Sequence, residues 1–366
     1  MSVDKEKVAV ILLGSQSFPQ SKNFQSSVAF FNSYKKILGL FTDNYSLKIQ
    51  AGNLLDLFNS ELGPNEQDLE VGRFIENQHT NGVTDIIIYY IGHGGYASQH
   101  DGYVLAIKTS RDINLGASSI TMKTLAVTIS KIARKLRTYI ILDCCFSAEA
   151  KKMFQSPVAD ILQKTVNNNF PADGVALLCS SSSDDPSLIS LTRQITMFSE
   201  SFEKALRIGS SSINSRFLTL RQLQEITFQN LKCLNPGEAV RPEIHSPHQG
   251  SGDLAEAPFF PNLGYKIDGY DISQRKQLVF SKIIINDLQA LTPAFMDFVQ
   301  DFDLDRRHEI TMVLISAECN DLENDFRNVK DENDTQIARR EKLRTQRNAL
   351  YSRILEIIND IFNQKV

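Results

Sequence analysis

The sequence has no long hydrophobic run and no strong excess of one charge. Its longest apolar run, Ile86 to Ile91, is far too short to span a bilayer. The net charge is −4, so neither a nucleic acid nor a membrane is indicated as the main partner. The apolar segment from Val8 to Leu13 is short, follows Asp4 and Glu6, and lacks a small-residue cleavage site. It therefore predicts a buried strand and not a signal peptide.

Cysteine is scarce and does not follow the spacing of a disulfide framework. The chain has five cysteines, Cys144, Cys145, Cys179, Cys233 and Cys319. An odd number without regular spacing indicates reduced thiols, so we expect a cytoplasmic protein. The adjacent Cys144 and Cys145 are a poor disulfide pair and lack the spacing of a zinc site. We expect no metal site and no cofactor.

Two short apolar runs end in residues that can carry chemistry. Tyr139 to Leu142 is followed by Asp-Cys-Cys-Phe-Ser, and Ile86 to Ile91 is followed by Gly-His-Gly-Gly around His93. Runs of this kind are typical of strands buried on both faces of a parallel sheet. Because α/β folds place their sites at the carboxyl ends of such strands, one strand is predicted to deliver a thiol and the other an imidazole.

The order of the remaining segments predicts an α/β sandwich with a mostly parallel central sheet. Helical periodicity alternates with short apolar runs over the first 230 or so residues, as in crossover-connected parallel strands. The further predicted strands are Lys7–Gly14, Tyr45–Ile49, Gly102–Ile107, Gly174–Cys179 and Arg241–His245. The predicted helices are Ser26–Phe41, Gln67–Gln78, Thr121–Lys135, Thr196–Leu206 and Thr219–Leu231.

The character of the chain changes after about residue 268. Residues 274–302 and 310–361 have a mostly helical pattern with few turn signals. We therefore predict a domain over residues 1–267 and a helical domain over residues 268–366. An apolar stripe in the last stretch fits either a solvated helix held by one face or a module that binds a partner or a signal. The stripe consists of Ile337, Leu343, Leu350, Ile354, Ile357, Ile358 and Ile361.

A cysteine nucleophile requires a base and a set of hydrogen-bond donors. The thiol reacts as thiolate, and histidine is a suitable base because its pKa lies near neutrality. The backbone N–H groups of Gly94 and Cys145 are the predicted donors to the developing oxyanion. The other histidines lie in polar stretches and are weaker candidates for catalysis: His79, His100, His245, His248 and His308.

The residues around His93 and Cys145 resemble the two signatures of caspase-like cysteine peptidases, and most closely those of metacaspases and their bacterial relatives. That family has Tyr/Phe-x-Gly-His-Gly at one strand end and Asp-x-Cys-His-Ser-Gly at another, and this chain has Tyr-Ile-Gly-His-Gly and Asp-Cys-Cys-Phe-Ser. About 50 residues separate the pair, as in caspases. The resemblance runs from about Lys7 to Asn262 and implies that His93 and Cys145 are catalytic.

Two departures from the family pattern bear on the site. Phe146 and Ala148 stand where the family has His and Gly, which alters the turn after the nucleophile. Cys144 is an alternative nucleophile. Because a strand alternates its faces, only one of the two cysteines can point toward His93, and the motif alignment favours Cys145.

The resemblance also implies a preference for basic residues at the cleavage site. Asp143 corresponds to a wall of the S1 pocket and would attract Arg or Lys. Asp184 and Asp185 are further S1 candidates, although both are equally typical of a turn before Pro186. Some metacaspases bind calcium through aspartate clusters, and no matching cluster is recognised here. Calcium or a small signalling nucleotide remains open as an activator.

Together these features predict a cytoplasmic cysteine endopeptidase that cleaves proteins or peptides after Arg or Lys. By resemblance to bacterial relatives, it would be a signal-activated effector in antiphage defence or cell death. The C-terminal region would then bind an activating small molecule or a partner protein. The alternative is a pseudo-peptidase that acts as a scaffold or signal-binding module through its C-terminal helices.

Overall fold

The computed structural model describes residues 5–43, 47–98, 102–132, 136–146, 170, 174–180, 189–246, 252–265, 269–303, 307–329 and 334–365. The chain divides into two compact units, one ending at residue 265 and one beginning at residue 266. Among the helices in these ranges, none is long and apolar enough to cross a membrane.

In its described residues, the first unit contains one mixed sheet built around parallel strands and two small two-stranded sheets. Its described strands are β1 (Val8–Gly14), β2 (Leu54–Asp56), β3 (Asp85–Ser98), β4 (Gly102–Leu105), β5 (Ile120–Thr121), β6 (Arg137–Phe146), β7 (Val175–Cys179), β8 (Ile189–Ser190), β9 (Ile195–Thr196), β10 (Phe217–Leu218), β11 (Glu243–His245) and β12 (Phe260–Pro261). The main sheet has the order β11-β7-β6-β3-β1-β2, and β4 and β5 extend it from β3. Strands β2, β1, β3, β6 and β7 run parallel, as expected for strands joined by helical crossovers.

Helices cover both faces of this sheet. They are α1 (Val28–Thr42), α2 (Pro64–Thr80), α3 (Leu115–Ser118), α4 (Met122–Ile132), α5 (Met197–Ile208) and α6 (Leu220–Leu234). One core lies between the sheet and α2 and α4, and the other lies between the sheet and α1, α5 and α6. Each strand residue therefore contributes to one core or the other, and this alternation decides which side chains can meet at the site. The predicted α/β sandwich is confirmed.

The predicted strand at residues 45–49 is wrong. Residues 44–46 lie outside the described part, Lys48 has a left-handed backbone with φ of 49°, and the strand next to β1 is β2. A residue in the left-handed region cannot continue an extended strand. Leu47 and Ile49 are nevertheless buried, so the apolar pattern reflects core packing without β structure.

Strand β3 does not end at the glycines around His93. It pairs with β1 as far as Ile91, with β6 as far as Gly94, and then antiparallel with β4. Glycine permits extended backbone as readily as turns, and β4 supplies hydrogen-bond partners beyond that point. His93 consequently lies inside a strand, just past the place where β1 has ended.

The second unit consists, in its described residues, of four helices: α7 (Gly269–Ile284), α8 (Leu288–Phe302), α9 (Glu309–Asn328) and α10 (Asp334–Lys365). They share a core of their own. The sequence pattern had predicted two long helical stretches. The first breaks where Asn286 adopts a left-handed conformation and Asp287 caps α8 by accepting the Ala290 N–H. The predicted stripe is buried from Leu343 onward, whereas Ile337 is exposed.

Candidate active site

The strand register places residues 93 and 145 side by side. In the parallel ladder between β3 and β6, His93 pairs with Cys145 and Gly92 pairs with Cys144. Register partners share a face of the sheet, so residue 145 lies on the face of His93 and residue 144 lies on the other. The Cys144 thiol is buried on that other face, 3.4 Å from the Tyr103 hydroxyl. Of Cys145 only the backbone is described.

The imidazole of His93 is oriented by a backbone carbonyl. Its Nε2 lies 2.8 Å from the carbonyl oxygen of Gln25, in the segment that connects β1 with α1. Because a carbonyl oxygen only accepts, Nε2 carries the proton in this hydrogen bond. In the neutral ring Nδ1 is then the basic nitrogen, and it is the atom available to take a proton from a nucleophile.

Three phenylalanines from the same part of the chain enclose the His93 ring. Phe24 stacks on it at 5.4 Å between ring centroids, and Phe18 and Phe30 approach at 5.1 and 4.9 Å. Burial lowers the pKa of His93, and the smaller effect of the Gln25 hydrogen bond raises it. Burial in an apolar cage disfavours the imidazolium form, so the ring is held in the neutral form that a general base needs.

The glycines of the His93 motif make room for neighbouring groups. A Cβ on Gly92 would lie 2.7 Å from the Tyr90 hydroxyl, which itself lies 2.7 Å from the carbonyl oxygens of His93 and Ala106. A Cβ on Gly95 would lie 3.1 Å from the ring of Phe24. Two of the three glycines in Tyr-Ile-Gly-His-Gly-Gly are thus explained by packing: Gly92 leaves room for the Tyr90 hydroxyl, and Gly95 leaves room for the Phe24 ring that stacks on His93.

The backbone just before residue 145 is held by Ser180. Ser180 is 2% exposed and directly follows β7. Its hydroxyl accepts the Cys144 N–H at 3.1 Å and donates to the Cys144 carbonyl oxygen at 3.1 Å. Its own N–H donates to the Leu142 carbonyl oxygen at 2.9 Å. One side chain therefore continues the β6–β7 ladder beyond the end of β7.

Asp143 lies on the same face as residue 145 but is only 1% exposed. The hydroxyls of Thr196 and Ser199, at the start of α5, donate to its Oδ2. The Tyr89 hydroxyl lies 3.0 Å from Ser199 Oγ and, since Ser199 already donates to Asp143, Tyr89 is the donor there. The Oδ2 atom of Asp143 is therefore held by two hydroxyl donors at the start of α5.

The other predicted site residues are placed as follows. Gly94 is buried in β3, where it pairs with Phe146 and with Leu105, and its role as an oxyanion donor stays a prediction. Asp184 and Asp185 lie outside the described residues, and the S1 assignment stays a prediction. His245 lies in β11, within the predicted strand Arg241–His245, but it is only 6% exposed and so does not belong to a polar surface as expected. Within the described ranges, no group of three or more His, Cys, Asp or Glu could hold a metal ion.

Sequence reasoning missed Gln25, the phenylalanine cage and Ser180. The acceptor at Gln25 is a main-chain atom, which no side-chain pattern reveals. Phe18 and Phe24 come from the connection between β1 and α1 and Phe30 from the first turn of α1, so the spacing of the three rings follows no single strand or helix period. Ser180 could have been predicted near the site, since it follows a buried strand next to the one that carries the candidate nucleophile.

Comparison with known proteins identifies the family of this chain. The sequence model of the caspase domain matches residues 56–248, more than half of the chain. Among solved structures, pro-Sf-caspase-1 is 12% identical with a TM-score of 0.43, and the alignment covers 66% of this chain and 88% of that one. Raptor of Chaetomium thermophilum is 10% identical with a TM-score of 0.36, over 84% of this chain and 34% of that one. No curated protein matches. The matched range contains both His93 and Cys145, and the chain belongs to the caspase-domain family of cysteine peptidases.

Proposed function

We propose that this protein is a cysteine endopeptidase with Cys145 as nucleophile and His93 as general base and acid. The observation that supports this most directly is the β3–β6 register, which pairs the two residues across adjacent parallel strands. The second support is the fixed tautomer of His93, with Nε2–H on Gln25 and Nδ1 free to act. A thiol is activated at neutral pH by a base within hydrogen-bond reach, and these two features provide one.

The reaction follows the usual acyl transfer to sulfur. His93 Nδ1 takes the Cys145 proton, and the thiolate attacks the scissile carbonyl carbon as the C–S bond forms. The backbone N–H groups of Gly94 and Cys145 are the proposed donors to the oxyanion. The imidazolium then gives its proton to the amine as the C–N bond breaks. Water, deprotonated by His93, hydrolyses the thioester and releases the carboxylate and the thiol.

We propose cleavage after Arg or Lys, on the basis of Asp143. Two residues along a strand span about 6.6 Å, so the backbone of Asp143 lies one strand repeat from that of residue 145. A unit positive charge at P1 about 7 Å from an ionised Asp143 would gain on the order of 2 kcal/mol at an effective dielectric constant near 20. That is roughly a 30-fold preference over a neutral side chain, and an acidic side chain is disfavoured to a similar degree. Because Asp143 is buried against Thr196 and Ser199, we propose that this preference acts through its charge at a distance and not through direct contact.

Paired fluorogenic peptides with Arg or Asp at P1 test this proposal. We expect hydrolysis of the Arg peptide by the wild type, and loss of it in both Cys145→Ala and His93→Ala. Hydrolysis of the Asp peptide alone would contradict the specificity and leave the nucleophile in place. Hydrolysis that survives in Cys145→Ala would contradict the nucleophile.

We further propose that the C-terminal helical unit regulates the peptidase. The unit has its own core and lies outside the range that matches the caspase domain. A role in antiphage defence or cell death is supported by the family resemblance alone. Comparison of residues 1–267 with the full chain tests the regulatory proposal, because the truncated protein should cleave without the activator that the full chain requires. Equal dependence on an activator in both forms would contradict it.

A further inference from the structure

The turn that carries Phe24 and Gln25 is held by an aspartate from a distant loop. Asp112 Oδ1 accepts the Ser21 hydroxyl at 2.5 Å, and Oδ2 accepts the Lys22 N–H at 2.7 Å. The Ser21 oxygen in turn accepts the N–H groups of Asn23 and Phe24 at 3.2 and 3.0 Å. Asp112 thus fixes the shape of the turn immediately before the residue whose carbonyl binds His93.

The loop that presents Asp112 is itself extensively hydrogen-bonded. Within residues 107–119, the Ser110 hydroxyl accepts the Ile107 N–H at 2.8 Å and lies 2.7 Å from the Ser119 hydroxyl. The Ser118 hydroxyl accepts the Arg111 N–H at 2.9 Å and donates to the Asn114 carbonyl at 3.0 Å. These bonds hold the backbone on both sides of Asp112, so they fix the position of its carboxylate against the turn.

We propose that Asp112 is a positioning residue for His93. The connection runs from Asp112 through the Ser21 turn to the Phe24 ring, which stacks on the face of the imidazole, and to the Gln25 carbonyl, which accepts from its Nε2. Without the hydrogen bond from Ser21 to Asp112, the turn is no longer held in this conformation. The ring then loses its stacked cover and its hydrogen-bond acceptor together, while the β3–β6 register is unaffected. The catalytic consequence rests on the proposed peptidase function, whereas the structural connection does not.

The effect on His93 has a definite direction. Burial, the larger influence, lowers the pKa of His93, and the Gln25 hydrogen bond raises it less. Loosening the turn removes the Phe24 part of this burial together with the Gln25 hydrogen bond, and because burial is the larger influence the pKa should rise toward its ordinary value, about 6.5. Because Nε2 no longer has a fixed acceptor, the neutral ring should also become a mixture of two tautomers.

Histidine side-chain ¹⁵N NMR on the full-length protein tests this without any substrate. The signal of His93 is assigned with His93→Gln. We expect Asp112→Ala and Ser21→Ala to raise the His93 pKa and mix its tautomers, whereas Asp112→Asn, which keeps an acceptor oxygen, should restore part of the wild-type behaviour. The matched control is Asp253→Ala, which removes a carboxylate that likewise holds a turn, by accepting the Ala255 N–H at 2.9 Å, and that also accepts from Arg221 at 2.7 Å. A folded Asp112→Ala or Ser21→Ala protein with unchanged His93 signals would overturn the inference.

Measurements of kcat and KM then distinguish a failure of this inference from a failure of the proposed function. On a peptide that the wild type cleaves, Asp112→Ala should lower kcat by roughly 10- to 100-fold and change KM by less than about twofold, since a displaced base affects the transition state more than substrate binding. An unchanged kcat beside a shifted pKa would overturn the catalytic consequence. If the wild type cleaves no peptide, the proposed function fails, and the NMR result still decides whether Asp112 positions His93.

Discussion

His93 on β3 and Cys145 on β6 are register partners in adjacent parallel strands. Neighbouring strands lie about 4.8 Å apart, so the sheet itself sets the separation of the two backbones. The segment between β1 and α1 sets the orientation of the His93 ring, because it supplies the hydrogen-bond acceptor for Nε2 and the Phe24 ring that stacks on the imidazole. Substitutions in this segment can therefore change the environment of the His93 ring without changing the strand register that pairs His93 with Cys145.

Removal of the stacked ring should shift the pH at which His93 takes up a proton. Phe24→Ala opens the cage to solvent, and solvation of the imidazolium should raise the His93 pKa toward its ordinary value. The acid limb of the pH dependence of Cys145 alkylation by iodoacetamide should move to higher pH by the same amount. The matched control is Phe31→Ala, whose ring stacks on Tyr34, and not on His93. An acid limb that moves equally in both variants, or in neither, would show that the cage does not set the pKa.

Ser180→Ala should destabilise the backbone before the nucleophile. The substitution removes a donor and an acceptor from the buried N–H and carbonyl of Cys144, which costs roughly 1–3 kcal/mol of unfolding free energy. The rate of Cys145 alkylation should fall as well, and Ser180→Thr, which keeps a hydroxyl, should recover part of it. Urea unfolding and alkylation kinetics measure the two effects.

A comparable serine outside the site provides the control for Ser180. Ser190 is 4% exposed and makes longer hydrogen bonds, at 3.3 and 3.4 Å, within the β8–β9 hairpin. Ser190→Ala should therefore cost less stability and leave the alkylation rate unchanged. Equal losses of alkylation rate in the two variants would argue against a specific role of Ser180.

The stability of the first unit should fall as the pH drops below neutrality. Burial lowers the pKa of His245, and Glu243 at 3.6 Å does not reverse this. The unfolded chain then binds a proton near pH 6.5 that the folded chain does not, so stability decreases from that pH down to the folded pKa and levels off below it. The slope contributed by one such group is at most about 1.4 kcal/mol per pH unit.

Replacement of His245 tests this pH dependence. His245→Gln should reduce the loss of unfolding free energy between pH 7.5 and 5, measured in urea at both values. His79→Gln, on the exposed surface of α2, is the matched control and should leave the loss unchanged. A steeper or unaltered pH dependence in His245→Gln would contradict the assignment of a depressed pKa.

The parts of the fold that could be predicted from sequence are those with strong periodicity. The apolar runs before His93 and Cys145 form neighbouring strands, and the two residues are brought together as the carboxyl-end argument requires. Features decided by local backbone conformation escaped prediction. The left-handed conformations of Lys48 and Asn286 ended a predicted strand and a predicted helix, although neither residue type demands it.

The details of the site depended on contacts distant in sequence. The His93 ring is oriented by Gln25, 68 residues earlier, and the backbone of Cys144 is held by Ser180, 36 residues later. Such pairs follow from which segments the sheet topology brings together, and a single sequence carries no direct signal for them. Strand alternation, by contrast, predicted that only one of Cys144 and Cys145 could face His93, and the motif alignment favoured Cys145. The register pairs residue 145 with His93.

The most direct test of the account is to identify the cysteine that a peptide-based thiol-reactive inhibitor modifies. The full-length protein would be treated with a peptidyl acyloxymethyl ketone carrying Arg at P1, digested, and mapped by mass spectrometry, in parallel with Cys144→Ala, Cys145→Ala and His93→Gln. The account predicts modification at Cys145, retained in Cys144→Ala and lost in both Cys145→Ala and His93→Gln. Modification at Cys144, or labelling of Cys145 that is equally fast without His93, would contradict it.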